Sequence, residues 1–393
     1  MQKPASILKS PSLDLLLIKK AFLDLRKNDL QHCVDSKTVT SCLSKSEWNY
    51  LQQFQEKYII APADKANSNY IFICKKYYLA IICHEPGISW QGNSCVVTGN
   101  AVYAPVTVAS HTILQSHANY IAFLGLHSKS EKNVLPRFFA VPKLHKNPFK
   151  FRFIASARLS SMKPAALLLH RILQHFRCHL RNYLAIASRR TGKRHFWSVD
   201  NSEAVILLLQ RINSPRTVFT GDFSTLFTKL PHAVIKTQIQ KLIDLCFQNS
   251  GKIFITITHD KVVYCKERCA AALLGGLTFP KQEIYELVDR VLDETYVTFA
   301  GESFRQICGV PMGGNASPLL AHLALSMLEL EHVKNNNFCW TIARFIDDII
   351  VCNCLDFMSV AKQIYPQELN LECTHSGNQA NFLDLSIFCP RIN

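Results

Sequence analysis

The sequence predicts an α+β fold, in which strand-forming and helix-forming segments are sorted into separate blocks. Three observations carry that expectation. Short runs rich in β-branched and aromatic residues recur at Tyr70-Ile-Phe-Ile-Cys74, Phe138-Phe-Ala-Val141, Phe151-Arg-Phe-Ile-Ala155 and Thr217-Val-Phe-Thr220. Two longer segments space their apolar residues as helices do: Leu168, Leu169, Ile172, Leu173 and Phe176 within 164–185, and Leu319, Leu320, Leu323, Met327 and Leu330 after Ser317. The run ARFIDDIIV at 343–351 sets two acids between strand formers, the pattern of a tight hairpin.

With 393 residues, 48% hydrophobic content, 24 Phe and 12 Tyr, the chain can bury a core and divides into two or three subdomains. No apolar run approaches the roughly 18 residues of a membrane span, and LDLLLIKK is too short and too charged at its flank for a signal peptide. The expectation is an intracellular protein with no membrane partner. Fifteen Cys are scattered, and neither Cys265/Cys269 nor Cys352/Cys354 has a matching pair at zinc-finger spacing, so reduced thiols, mostly in the core, are expected, with a structural zinc the lesser alternative.

Charge is distributed unevenly. From Lys132 to Val199 there are 15 Lys and Arg and no Asp or Glu, so 68 residues carry the whole net charge of +15. A solvated face does not need so long a stretch without an acid. Interleaved with Phe138, Phe139, Phe149, Phe151, Phe153 and Trp197, some of them core, the segment reads as a footprint for nucleic acid.

Along the chain, residues 1 to about 58 are helix-prone, with Trp48 and Phe54 spaced to face a common core. Asp64-Lys65 leads into the first strand, and residues 86–110 read as loop with short strands. PKLHKNPFK forms a basic turn between two β runs. Asp222 follows the Thr217-Val-Phe-Thr220 run; alone, such a residue is most often a cap or a turn former. In CGVPMGGNASPLLAHLALSMLE, Ser317 is placed as N-cap and Pro318 as first helical residue, and Gly309, Gly313 and Gly314 permit close backbone approach or positive φ. In the hairpin, Asp347-Asp348 are expected to form the turn itself. If Asp222 ends a neighbouring strand, three carboxylates converge, a repulsive arrangement that divalent cations would neutralise.

The ordered blocks DFSTLFTKLPH, GVPMGGNASPLLAHLAL, RFIDDII and NFLDLSI resemble motifs A, B, C and E of reverse transcriptases. Their wording is similar to the Penelope-like class, relatives of telomerase. Upstream, PADKANSNYIFI, VPKLHKNPFKFRFIAS and HFWSVDNSEAVILLLQRIN resemble the fingers-side blocks, so the likeness spans roughly residues 60 to 390. It implies a right-hand polymerase with an N-terminal helical extension (1–59), fingers (60–215) and an antiparallel-sheet palm (216–393). The chain stops at Asn393 after the motif E-like strand, so the expectation is a hand whose thumb is largely absent, with a separate chain able to supply thumb or endonuclease.

The resemblance further implies an RNA-directed DNA polymerase acting on an RNA template, a DNA primer or RNA–DNA hybrid and dNTPs, in the nucleus. Asp222 and Asp347 would hold two Mg2+ ions, for which Mn2+ can substitute, and Asp348 would complete the triad. Lys143 and Arg152 would grip the triphosphate. Phe227 stands where an aromatic gate excludes ribose, although on spacing it reads equally as core. Met312 and Gly313 would line the nucleotide pocket; Gly309, Ser317 and Pro318 would lie beneath template and primer. Phe382, Leu383 and Asp384 would form the primer grip, with Asp384 equally a turn residue. Two rivals stand beside this reading: a catalytically silent nucleic-acid-binding remnant of such an element, and an RNA-dependent RNA polymerase, against which Phe227 argues.

Overall fold

The structure, a computed structural model, describes residues 45–64, 66–91, 94–126, 134–144, 150–212, 215–268, 276–338 and 340–389. The readings made for residues 1–44, Lys65, the basic turn at 145–149, Cys269 and the Trp48 side chain lie outside the described residues. The chain falls into two compact units, the first drawn from 1–119, 129–161 and 295–307, the second from 120–128, 162–294 and 308–393. The sequence reading assigns 162–215 to the fingers. These residues pack in the second unit, because the apolar stripe of the 163–191 helix shares one core with Phe219 and Ile349.

In the first unit, strands Tyr58–Ala63 and Ala66–Cys74 form an antiparallel hairpin with Ile60 opposite Phe72. A five-stranded sheet runs in the order 103–105, 302–306, 296–299, 137–143, 150–156. Alternation builds its core: Phe138, Ala140 and Ala155 point inward to meet Val297 and Phe304. On the opposite face of the 137–156 hairpin lie Lys143, Lys150 and Arg152, with Val141 paired to Arg152 and Lys143 to Lys150. Both β runs expected here are present, as Arg137–Lys143 and Lys150–Ser156.

The second unit is a four-stranded antiparallel sheet backed by helices. The strand order is Thr341–Phe345, Asp348–Cys352, Val218–Phe223, Leu371–Gly377. Helix Lys163–Thr191 opens with Pro164 in its first turn and ends at Gly192, whose φ of 70° supplies the left-handed cap. It buries Leu168, Leu169, Ile172, Leu173 and Phe176, as the spacing predicts, against helices His232–Ser250, Lys281–Asp293 and Ser317–Asn335. Helix residues cover one face of the sheet through Phe219, Ile342, Ile349 and Val351. A smaller core containing Val205, Ala380, Phe382 and Cys389 covers the other through Val218, Ala343, Ile350 and Cys352. The central strands are therefore buried on both sides. Among the described side chains ten cysteines are free thiols, of which five are buried, two half-buried and three exposed. No helix of the described residues is long and apolar enough to cross a membrane.

Leu169 is fully buried in the core that the helices share with the sheet. Leu169→Ala should cost about 2–5 kcal/mol of unfolding free energy, through lost apolar contact and the cavity left behind, as read by urea denaturation.

Candidate active site

Strand Asp348–Cys352 runs antiparallel to Val218–Phe223 with Asp348 directly opposite Asp222 and Ile349 opposite Gly221. On the other side of Asp222, strand Leu371–Gly377 sets Glu372 opposite it. Directly opposed residues of antiparallel strands project to the same face with Cβ atoms about 4.5–5.5 Å apart. Asp348, Asp222 and Glu372 thus form a row across three strands. Asp347 precedes the row, and its carbonyl accepts the Phe223 N–H at 2.9 Å, tying the turn to the end of the neighbouring strand.

The hairpin turn differs from expectation by one residue. Phe345 pairs with Asp348, so Ile346 and Asp347 form the turn and Asp348 opens the returning strand. Ile346 has φ 55°, a conformation that a β-branched residue adopts only when its surroundings compel it. A two-residue hairpin turn calls for positive φ at its first central position, and Arg344 braces it there. Its guanidinium donates through Nη1 to the Ile346 carbonyl at 2.9 Å and through Nη2 to Glu329 Oε2 at 3.2 Å, Ser326 Oγ at 3.1 Å and the His322 carbonyl at 3.2 Å. Nε donates to Glu329 Oε1, which also accepts from Tyr365 Oη at 3.0 Å.

Arg344 and Glu329 are 0% and 1% exposed, so both charges depend on each other. Burial works against the Arg344 charge, but the Glu329 carboxylate outweighs it and holds the guanidinium pKa above its ordinary value. Burial, with Arg344 and Arg177 nearby, pushes the His322 imidazole well below its ordinary range and keeps it neutral. Burial followed by Glu329 raises the Tyr365 phenol well above its own.

Sequence reasoning passed over Arg344, Glu329 and Glu372. One signal was available: His322, Ser326 and Glu329 fall at i, i+4 and i+7, a polar stripe in a helix otherwise apolar from Pro318 to Leu330, and such a stripe requires a buried partner. Glu372 carries no comparable signal, because only cross-strand register brings it to Asp222.

The remaining predicted residues fall into three groups. Phe227, on the short helix Leu226–Lys229, packs against the main core, and its carbonyl accepts the Val310 N–H at 2.7 Å. Gly309, at φ 74°, lies so close that a Cβ there would stand 2.4 Å from the same carbonyl. The glycine therefore serves a close backbone approach to 227–228, and the His232 imidazole secures it by donating from Nε2 to the Gly309 carbonyl at 2.7 Å. Met312 is half-buried and Gly313 exposed at φ 105°. Ser317 is not the cap: the helix is capped by Ala316, with Ser317 its first residue, buried, and Pro318 in the first turn. The Ser317 hydroxyl tucks under Gly314, where a Cβ would lie 2.4 Å away, and this contact starts the helix one residue early.

Phe382 is buried in the smaller core. Leu383, at φ 55°, and Asp384 form the tip of the 379–388 hairpin, where Asp384 accepts the Ser202 hydroxyl. Lys143 and Arg152 belong to the first unit, and Arg152 is ion-paired with Asp64 at 3.3 Å.

Among the described residues, no group of three or more His, Cys, Asp and Glu side chains is gathered as a ready metal cage. Each of these acids singly offers the hard carboxylate oxygens that magnesium takes, an ion that commonly uses one or two of them and completes its shell with water and phosphate. A row of facing carboxylates is costly without a cation.

Removing one member of the buried pair isolates the other. Arg344→Met should destabilise by about 3–5 kcal/mol, with most of that recovered in the double variant Arg344→Met/Glu329→Leu, as read by a denaturation cycle. Ile346→Gly should raise stability by about 1 kcal/mol by relieving the left-handed backbone, measured by thermal unfolding.

No family model matches the chain, and no curated protein matches it in sequence. Solved structures share its fold. Apo telomerase from Candida tropicalis aligns at a TM-score of 0.52 and 14% identity, over 94% of this chain and 64% of that one. Telomerase from Candida albicans in complex with a TWJ fragment of telomeric RNA aligns at 0.53 and 12% identity, over 86% and 52%. The chain thus spans less than two thirds of the length of these telomerase chains, and the likeness is one of α+β fold with antiparallel sheets.

Proposed function

We propose that the chain is a nucleic-acid polymerase of the right-hand type and, more finely, an RNA-directed DNA polymerase of Penelope-like retroelement origin. The observation that carries the reading is the register that opposes Asp348 to Asp222 with Asp347 at the adjoining turn. The likeness in fold to telomerase supports it, and the motif wording supports the finer class.

Asp222 and Asp347 would be the principal carboxylates and Asp348 the third. Magnesium bound there would supply counter-charge for these acids and clamp the attacking and leaving oxygens of a phosphoryl transfer. The chain's own contribution is rigidity. Asp222 stands on a strand buried on both faces, and Arg344 holds the turn that carries Asp347, so the carboxylates reach the reacting groups already positioned. Lys143, Lys150 and Arg152, on one face of their hairpin, suit a triphosphate; Arg152 would exchange Asp64 for phosphate. Phe227, anchored through its own carbonyl to the glycine-containing loop, would present its ring to the sugar and exclude a 2′-hydroxyl.

The rival reading is a nucleic-acid-binding remnant without catalysis, which the basic 132–199 segment would serve as well. Primer extension on poly(rA)/oligo(dT) with dTTP and Mg2+ separates the two. Incorporation that falls about 100-fold or more in Asp347→Asn is expected; salt-sensitive binding without incorporation in either protein overturns the enzyme reading. Phe227→Ala should admit ribonucleotides that the parent protein refuses, measured by competing rUTP against dTTP on the same template.

A further inference from the structure

We propose that the outer face of the 58–74 hairpin is a base-stacking platform for single-stranded nucleic acid. The hairpin is divided by its alternation. Ala61, Ala63 and Ile73 are buried, whereas Tyr58, Ile60, Tyr70 and Phe72 stand outward at 38%, 39%, 67% and 58% exposure. Helix Lys45–Lys57 adds Tyr50 and Phe54 to the same surface. The Phe54 ring stacks on Tyr58 at 4.6 Å and meets Phe72 edge-on at 5.1 Å, and Tyr50 lies 6.4 Å from Phe54. Scattered exposed aromatics need no explanation, but a contiguous set braced ring against ring marks an interaction surface.

Charge selects the occupant. The pairing of Tyr58 with Cys74 gathers Lys57, Lys75 and Lys76 at one end of this face, where Glu56 offsets part of the Lys75 charge. The one acid within 58–74, Asp64, has its side chain 8% exposed and turned onto Arg152. Flat aromatic rings beside three lysines, against which the exposed Glu56 sets one acid, match a strand whose bases stack while its phosphates reach the lysines. A duplex would hide its base faces, so the fit is to a single strand, RNA or DNA, without sequence preference.

The test uses the full chain and fluorescence anisotropy with labelled oligo(dT) and oligo(rU) of about twelve nucleotides. Tyr70→Ala/Phe72→Ala should weaken binding by roughly tenfold or more while leaving the salt dependence unchanged, because rings and not phosphate contacts are removed. Tyr70→Trp/Phe72→Trp should retain the affinity. Should the alanine pair lower the melting temperature, Lys57→Gln/Lys76→Gln gives the second arm and should reduce the salt slope by about 2. Unchanged affinity in the alanine pair, or an unchanged slope in the glutamine pair, overturns the proposal. So does self-association that the alanine pair abolishes without touching oligonucleotide affinity, which would assign the face to a second copy. The proposal does not rest on catalysis, because these oligonucleotides are bound without dNTP.

Discussion

Facing carboxylates on adjacent strands repel, and a sheet that sets Asp348 against Asp222, with Glu372 on the far side, tolerates this because its register is decided elsewhere. Ile349 and Val351 face the helices while Ile350 and Cys352 face the smaller core. A slip of one residue would exchange the two sets and strip both cores at once. Apolar packing on two sides thus dictates where the acids stand. The site is a consequence of the core, and the core bears its electrostatic cost.

The Arg344–Glu329 pair plays a different part. Buried ion pairs contribute little net stability relative to apolar side chains of the same size, because desolvation cancels most of the attraction. Here the pair contributes geometry. One guanidinium binds a helix side chain, a helix carbonyl and the carbonyl of the left-handed Ile346, so the helix behind the sheet and the tip of the hairpin are set by a single planar group. Val199 N–H donates to the Arg344 carbonyl and Arg344 N–H to the Trp197 carbonyl, which also covers the open edge of the strand.

What periodicity governs was legible in the sequence. The 163–191 and 317–335 helices, the 137–156 hairpin and the strand before Asp222 all stand where local spacing puts them. The errors are of one residue and have local causes. The turn falls on Ile346, whose carbonyl is held by Arg344 two residues earlier, and the helix begins at Ser317 itself, whose hydroxyl folds under Gly314. The convergence of Asp222 with the hairpin could be argued only from resemblance, since strand neighbours far apart in sequence leave no periodic trace. Glu372 and the interleaving of the two units were hidden for the same reason.

That interleaving bears on the order in which the protein can be made. The strands at 296–299 and 302–306 complete the sheet begun by 103–105 and 137–156, more than a hundred residues earlier. A nascent chain emerging from the ribosome cannot close that sheet until residue 306 has been synthesised, by which time the 163–191 helix and the Asp222 strand are already outside. The first half of the polypeptide must therefore wait, with one edge of its sheet open, for a segment delivered late, and so high a separation between partners favours slow folding.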